Sequence, residues 1–287
     1  MKKIGSILFA LVLCVMNSSC LKRDSLEDIN IYTSNYAISY IAERLYGEHS
    51  TVYNIYPLGV DPNIYELNDK QIKDYSKASL FIFNGLGKEK EYVIPMFNHN
   101  KNIKIIDTTL SMEYENSVEE LWLDPSNFLM MVQNTKNGFK EYINNHYLKN
   151  EIEENYELLK QDVSNIDAKI RLMMESSNTK SIVVADDTFK FLEKYNFIVY
   201  SLDEDTVTEK VISDARNLIN SGEIEYIYTK KNQELNEQIT TLVNETNIEV
   251  IQLHTIDNIT EEEKLQKQDY ITLMNSNIEL LKKELYD

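Results

Sequence analysis

Cysteine and proline are scarce in this chain of 287 residues, which contains two cysteines and four prolines. Cys14 lies inside an apolar run near the amino terminus, so Cys20 is the only cysteine expected in the mature protein. A single cysteine excludes an intramolecular disulfide. The chain has no Pro-rich linker and no low-complexity tract, which favours lobes that pack together over domains on a flexible tether.

Positive charge is also in short supply, because 29 Lys and Arg residues stand against 47 Asp and Glu residues, for a net charge of −18. Such an acidic chain repels phosphate groups, which argues against nucleic acid as a partner. The signatures of two hydrolase classes are missing as well, since no segment reads His-Glu-x-x-His or Gly-x-Ser-x-Gly. The sequence therefore predicts a protein that is not an enzyme.

The amino terminus has the pattern of a secretory signal. Lys2 and Lys3 precede an apolar run over residues 4–16, which is shorter than the roughly 20 residues that span a bilayer. The run is followed by Asn-Ser-Ser and then Cys20. This order predicts a signal peptide over residues 1–19, cleavage before Cys20 and a lipid tether at that cysteine, on the outer face of the cytoplasmic membrane. The alternative is secretion without a lipid.

The rest of the chain alternates between short apolar strands and helical segments, which is typical of α/β folds with parallel sheets. Strands are predicted at residues 29–33, 51–56, 80–84, 103–107, 181–185, 197–202, 226–229 and 249–253. Helices are predicted at residues 36–46, 69–78, 125–142, 189–195, 209–220, 232–245 and 269–285.

The longest helical pattern, residues 151–176, contains neither Gly nor Pro and is a candidate connector between two lobes. Its apolar stripe consists of Ile152, Leu158, Leu159, Val163, Ile166, Ile170 and Leu172. The predicted fold class is α/β, with two lobes, each a parallel sheet covered by helices, joined by this long helix. The predicted boundaries are residues 20–146 for the first lobe, 147–178 for the connecting helix and 179–287 for the second lobe.

Several polar residues directly follow predicted strands, at the edge where parallel sheets hold ligands. They are Asn63, Asp186, Thr229 and His254. Taken one at a time, such residues are more often helix caps or surface groups than ligands. A shared cleft between two lobes is nevertheless where these four strand ends are expected to meet.

Residues 57–67 read Pro-Leu-Gly-Val-Asp-Pro-Asn-Ile-Tyr-Glu-Leu. This segment resembles a loop of the solute-binding lipoproteins of zinc and manganese ABC transporters, Pro-x-Gly-x-Asp-Pro-His-x-Tyr-Glu, in which the His is a metal ligand. Asn63 stands at that place. Residues 78–85 are similar to the same family's Ala-Asp-Leu, apolar strand and Asn-Gly.

The resemblance continues in order along the chain. Residues 121–127, Leu-Trp-Leu-Asp-Pro-Ser-Asn, are similar to the family's His-x-Trp-Leu-Asp-Pro-x-Asn, which puts Glu120 at the second ligand. Residues 186–192 resemble the segment that begins with a third ligand, His or Glu, here Asp186. Residues 251–254 match the strand that ends in an Asp ligand, here His254, and residues 269–285 resemble the closing helix.

The resemblance implies a monomeric extracytoplasmic receptor that holds a divalent metal ion between its lobes and delivers it to an ABC permease. The implied ligands are Asn63, Glu120, Asp186 and His254, each different from the residue usual in the family. Two carboxylates, an amide and one imidazole suit manganese better than zinc. The short segment at residues 111–119 has no His, unlike the His-rich loop of many zinc relatives. The alternative is a diverged surface lipoprotein that has lost metal binding and binds another ligand or protein.

Lipidation of Cys20 has a direct test. Mass spectrometry of the membrane-associated protein should show an amino-terminal Cys20 that carries a diacylglyceryl group, because a basic start, a short apolar run and small residues precede it. Replacing Cys20 with Ala should release the protein from the membrane. A soluble product with an unmodified amino terminus would contradict the prediction.

Overall fold

A computed structural model of the protein describes residues 28–286, so the predicted signal peptide and Cys20 lie outside the described residues. The described chain contains two four-stranded parallel sheets, one formed before and one after a long helix in the chain order. Within residues 28–286, none of the helices has both the length and the apolar composition that crossing a membrane requires.

The amino-terminal lobe alternates strands with helices around the first sheet. Its elements are β1 (Ile29–Thr33), α1 (Tyr36–Tyr46), a 3-10 turn (Gly47–His49), β2 (Ser50–Asn54), α2 (Asp69–Tyr75), β3 (Leu80–Phe83), α3 (Lys90–His99) and β4 (Lys104–Asp107). The strand order is β2-β1-β3-β4, with every neighbouring pair parallel. All four residues of β3 are buried, as expected of a central strand covered on both faces.

Three helices lead out of this lobe: α4 (Glu120–Leu123), α5 (Pro125–Tyr142) and α6 (His146–Glu175). Asp124 caps α5 by accepting a hydrogen bond from the Ser126 N–H, and Pro125 occupies the first turn, as the sequence predicts. Helix α6 is unbroken over 30 residues, which confirms the predicted long helix. It begins five residues before the predicted start because the Asn145 side chain caps it.

The buried stripe of α6 contacts α1 and α5 on one side and the carboxyl-terminal lobe on the other. Leu159, Val163, Ile166 and Ile170 lie on the buried face, as predicted. Leu158 and Leu172, also expected in the stripe, are 58% and 59% exposed because each lies one position away from that face.

The carboxyl-terminal lobe repeats the arrangement of the first. Its elements are β5 (Ser181–Val184), a 3-10 helix (Asp187–Tyr195), β6 (Ile198–Ser201), α7 (Glu209–Asn220), β7 (Tyr226–Lys230), α8 (Glu237–Thr246), β8 (Glu249–Leu253), α9 (Glu261–Leu265) and α10 (Tyr270–Tyr286). The strand order, β6-β5-β7-β8, is the same as in the first sheet. The chain therefore reverses its direction of winding between β1 and β3 in one lobe and between β5 and β7 in the other.

Most predicted elements are present, and β1, α1, α7 and β8 have the predicted bounds. Three helices, α3, α4 and α9, were not predicted, and α4 has only four residues. Pro95 inside α3 disguises the helical pattern, and α9 has only five residues. The predicted strand at residues 51–56 ends at Asn54, whose side chain accepts a hydrogen bond from the Tyr56 N–H at 2.8 Å. The lobe boundaries at residues 146 and 178 stay a prediction.

The lobes are joined by direct contacts as well as by α6. The Trp122 indole donates to the Thr255 carbonyl at 2.7 Å, and the Tyr270 hydroxyl donates to the Trp122 carbonyl at 2.7 Å. The Asn258 amide donates to the carbonyls of Pro57 and Val60 at 2.8 and 2.6 Å. These bonds attach the loop after β8 and the start of α10 to the amino-terminal lobe.

Asp124 combines a helix cap with a contact between lobes, and its removal is expected to destabilise the fold. It is 4% exposed, and its two oxygens accept hydrogen bonds from Lys194 Nζ at 2.9 and 2.8 Å. Asp124→Ala should lower the free energy of unfolding by about 2 kcal/mol, because it removes the cap of α5 and the ion pair with Lys194. Water screens that pair, since the lysine side chain is exposed. Chemical denaturation measures this. Glu279→Ala, which removes an exposed pair with Lys282, is the control, and an equal loss there would contradict the assignment.

Candidate functional site

A polar cavity of about 340 Å³ lies between the two lobes. From the amino-terminal lobe it is lined by the loop after β2 and by Glu119. From the other lobe it is lined by residues that follow β7 and β8 and by α9. The cavity thus lies at the carboxyl ends of strands, the edge at which α/β sheets bind ligands.

Asn63 and His254, two of the four predicted ligands, line this cavity together. Asn63 belongs to the loop in which Gly59 has a φ of 73°, a conformation that favours glycine. His254 follows β8 and is held at both ring nitrogens. Its Nδ1 accepts the Ile256 N–H at 2.8 Å, and its Nε2 lies 3.2 Å from Glu263 Oε1. The structure therefore brings an amide and an imidazole from opposite lobes to one cavity.

Burial lowers the pKa of His254, and its contact with Glu263 does not reverse that shift. The ring is consequently neutral near pH 7, with Nδ1 as the acceptor and a proton on Nε2 that Glu263 accepts. Ile256, fully buried beside it, has a φ of 58°, which is uncommon for a β-branched residue. The loop after β8 thus holds His254 in a constrained geometry.

Glu263 is the carboxylate that organises this side of the cavity. Burial opposes its ionisation, but bonds from Lys231 and from the Thr260 backbone outweigh that effect and lower its pKa to about 2. Its Oε2 accepts the Thr260 N–H at 2.8 Å as part of a capping box at the start of α9. Glu263 therefore stays ionised and tied to its own lobe.

Asp186, the third predicted ligand, forms an ion pair with Lys230. It is 6% exposed and caps the 3-10 helix, with Oδ1 accepting the Thr188 N–H at 2.8 Å. Its Oδ2 lies 3.2 Å from Lys230 Nζ. Burial opposes the charge on Lys230, but the carboxylates of Asp186 and Glu119 outweigh it and raise the lysine's pKa. Lys230, rather than Asp186, lines the cavity.

Glu120, the remaining predicted ligand, lies away from the cavity, whereas Glu119 lines it. Glu120 Oε2 accepts hydrogen bonds from the backbone and side chain of Asn116 at 3.2 and 3.3 Å. The reason is helical geometry, since residues three apart share a face and Trp122, three residues after Glu119, packs toward the same region. Neighbouring residues point about 100° apart, so Glu120 faces elsewhere.

The structure thus brings Asn63 and His254 together, places Asp186 behind Lys230 and turns Glu120 away. Among residues 28–286, no three His, Cys, Asp or Glu side chains form a group that could hold a metal ion. The metal-ligand roles of the four residues stay predictions.

The sequence reading missed Glu119, Lys230, Asp257 and Glu263, all of which line the cavity. Lys230 directly follows Thr229, which the sequence predicts at the end of a strand. The Thr229 hydroxyl donates instead to Gln233 Oε1 at 2.7 Å. Glu119 and Glu120 are adjacent carboxylates, so the sequence does not show which of them faces the cavity. The packing of the helix decides this.

A second cavity of about 230 Å³ adjoins the first and shares Asn63, Glu119 and Asp257 with it. Its wall includes Glu89, which is 6% exposed. Burial raises the pKa of Glu89 to about 7, although its own N–H and Lys88 favour the charged form. Burial likewise raises the pKa of Asp257. The second cavity is therefore lined by carboxyl groups whose ionisation is disfavoured by burial.

The raised pKa of Glu89 makes a pH-dependent prediction about stability. The folded state binds more protons than the unfolded chain between the ordinary pKa of 4.5 and about 7, so this group's contribution falls as the pH rises through that window. Glu89→Gln should therefore raise the free energy of unfolding at pH 8, on the order of 2 kcal/mol, and change it little at pH 5. Chemical denaturation at pH 5 and pH 8 measures the free energy of unfolding, and Glu91→Gln, at an exposed position, is the control. An equal effect of Glu89→Gln at the two pH values would contradict the prediction.

Comparisons with known proteins agree with this architecture. The sequence matches the family described as "Zinc-uptake complex component A periplasmic" over residues 31–284. A "Metal ABC transporter substrate-binding lipoprotein" of Lactococcus lactis is 22% identical, covering 97% of this chain and 96% of that protein. The "Manganese-binding lipoprotein MntA" of Halalkalibacterium halodurans is 24% identical over 69% of each chain.

Solved structures share the fold. The Zn(II)-bound ZnuA-like domain of AdcA from Streptococcus pneumoniae superposes with a TM-score of 0.74 at 19% identity, over 91% of this chain and all of that one. The laminin-binding protein Lbp of Streptococcus pyogenes gives 0.71 at 14% identity, over 90% and 99%. Two parallel sheets, a long connecting helix and a family match over nearly the whole described chain lead to one conclusion: this protein belongs to the ZnuA family of metal ABC transporter solute-binding proteins.

Proposed function

We propose that the protein is the extracytoplasmic receptor of an ABC permease and captures a divalent cation in the cavity between its lobes. The observation that carries the proposal is the charge of that cavity. Four acidic side chains line it, Asp61, Glu119, Asp257 and Glu263, of which burial disfavours the charge of Asp257, against two ammonium groups, from Lys230 and Lys231. The excess of negative charge and the neutral imidazole of His254 favour a cation.

The kinds of donor atom favour manganese over zinc. Asn63 and Glu119 offer oxygen from the cavity wall, and Asp186 offers oxygen behind Lys230. His254 offers the one imidazole that lines the cavity within the described chain. Hard ions such as manganese prefer carboxylate and carbonyl oxygen, whereas zinc sites in proteins draw on His and Cys. We take Glu119 rather than Glu120 as the acidic donor from the first lobe, because Glu119 lines the cavity.

The receptor is proposed to work as a monomer tethered by a lipid on Cys20 and to deliver its ion to a membrane permease. The relatives described above as lipoproteins of ABC transporters support this reading. Helix α6 packs against both lobes and resists a wide hinge motion, so capture relies on small movements of loops and lobes. The family consists of transporter binding proteins and not of enzymes. The comparisons give no support to the alternative of a scaffold that binds another ligand.

Thermal melting of metal-free protein near pH 7.5, with and without manganese, zinc or calcium chloride, tests the proposal. An ion at 100 times its dissociation constant stabilises the folded state by about 2.7 kcal/mol, which should raise Tm by roughly 5 °C. Asp186→Ala and His254→Ala should each remove most of that rise, because each deletes a donor. Exposed His99→Ala is the matched control and should keep it.

A rise that is largest with manganese would support the proposed ion as well as the proposed class of ligand. A rise with zinc alone would keep the receptor and overturn the choice of ion. If none of the three ions shifts the melting of the unsubstituted protein at millimolar concentration, cation capture is wrong for this chain.

A further inference from the structure

Strand register places Lys230 directly beside Asp186. Val184 of β5 pairs with Tyr228 of β7, and these strands are neighbours in the second sheet. Asp186 and Lys230 each lie two residues beyond that pair, so their side chains leave the same edge together. Because this is the point where the chain reverses its direction of winding, the pair occupies the crevice in which such sheets hold ligands.

One oxygen of the Asp186 carboxylate is bonded within its own lobe, and the other is buried beside Lys230. Oδ1 accepts the Thr188 N–H, whereas buried Oδ2 faces the Lys230 ammonium group at 3.2 Å. Glu119, 8% exposed and from the other lobe, lines the same cavity as Lys230. A positive charge of the protein itself therefore sits where acidic side chains of both lobes converge.

We propose that Lys230 is an internal competitor that occupies the cation's place at Asp186 and sets the affinity of the receptor; this inference rests on the proposed function. The ammonium group, 3.2 Å from Asp186 Oδ2, opposes the binding of a divalent ion there, because two positive charges this close repel each other strongly at a buried carboxylate. The apparent affinity is then the intrinsic affinity reduced by the fraction of molecules in which Lys230 has moved away.

Lys230 is able to make that movement. Its side chain is 30% exposed and has a flexible four-carbon stem, so the ammonium group can move toward water when an ion arrives. When the ion leaves, the lysine returns and Asp186 is not left as a buried, unpaired charge. Lys231 differs, since its carboxylate partner Glu263 also caps α9 and bonds to His254.

The test compares manganese and zinc chloride binding to metal-free protein by titration calorimetry, for the unsubstituted chain and for Lys230→Met. Lys230→Met should bind about tenfold tighter or more, because the competing charge is gone. Lys230→Arg keeps the charge and should show no gain. Lys282→Met, which removes an equal charge from an exposed pair on α10, should bind like the unsubstituted chain. If Lys230→Met does not fold, Lys230→Gln supplies a neutral donor for Asp186.

The outcomes separate this inference from the proposed function. Weak binding by the unsubstituted chain and tight binding by Lys230→Met support both. Binding by Lys230→Met alone supports the competitor role and overturns the cation receptor. Equal affinities in the two proteins overturn the competitor role and leave the receptor in place. If no variant binds either ion, both proposals are wrong. An equal gain in affinity in Lys282→Met would show that net charge, and not the position of Lys230, causes the effect.

Discussion

Helix α6 buries one apolar face against both lobes, and the two sheets are joined through that contact. Leu159, Val163, Ile166 and Ile170 pack into a single core that contains residues of α1 and α5 on one side and of α10 on the other. Because the helix is continuous over 30 residues, the two sheets cannot move independently without exposing that face to water. The cleft between the lobes is therefore shaped by a rigid frame.

Hydrogen bonds near the cleft add a second restriction. The loop after β8 is attached to the first lobe through Asn258 and Thr255, and it includes the constrained backbone of Ile256. His254, at the start of that loop, has little freedom to turn, since its neighbours hold both ring nitrogens. Change in this cleft is consequently easier in long side chains such as Lys230 than in the backbone.

The electrostatics of the cleft follow from burial. A buried carboxylate is costly unless a cation or hydrogen-bond donor compensates its charge. Asp186 has Lys230 for this purpose, Glu263 has Lys231, and Glu89 instead has a pKa raised by burial to about 7. The carboxylates Asp186 and Glu263 are thus already paired with lysines of the protein. A cation that enters the cleft competes with those lysines for the carboxylates.

The sequence alone determined the α/β class, the two parallel sheets, the long helix and the family, because these depend on local periodicity, caps and ordered motifs. It also placed Asn63 and His254 at strand ends that meet. Only the tertiary structure decided which of Glu119 and Glu120 faces the cavity, since a turn of about 100° between neighbours is invisible until the helix is packed. The pairing of Asp186 with Lys230 likewise depends on the register of β5 with β7, residues more than forty positions apart. Contacts between distant strand ends are set by packing, which no local pattern encodes.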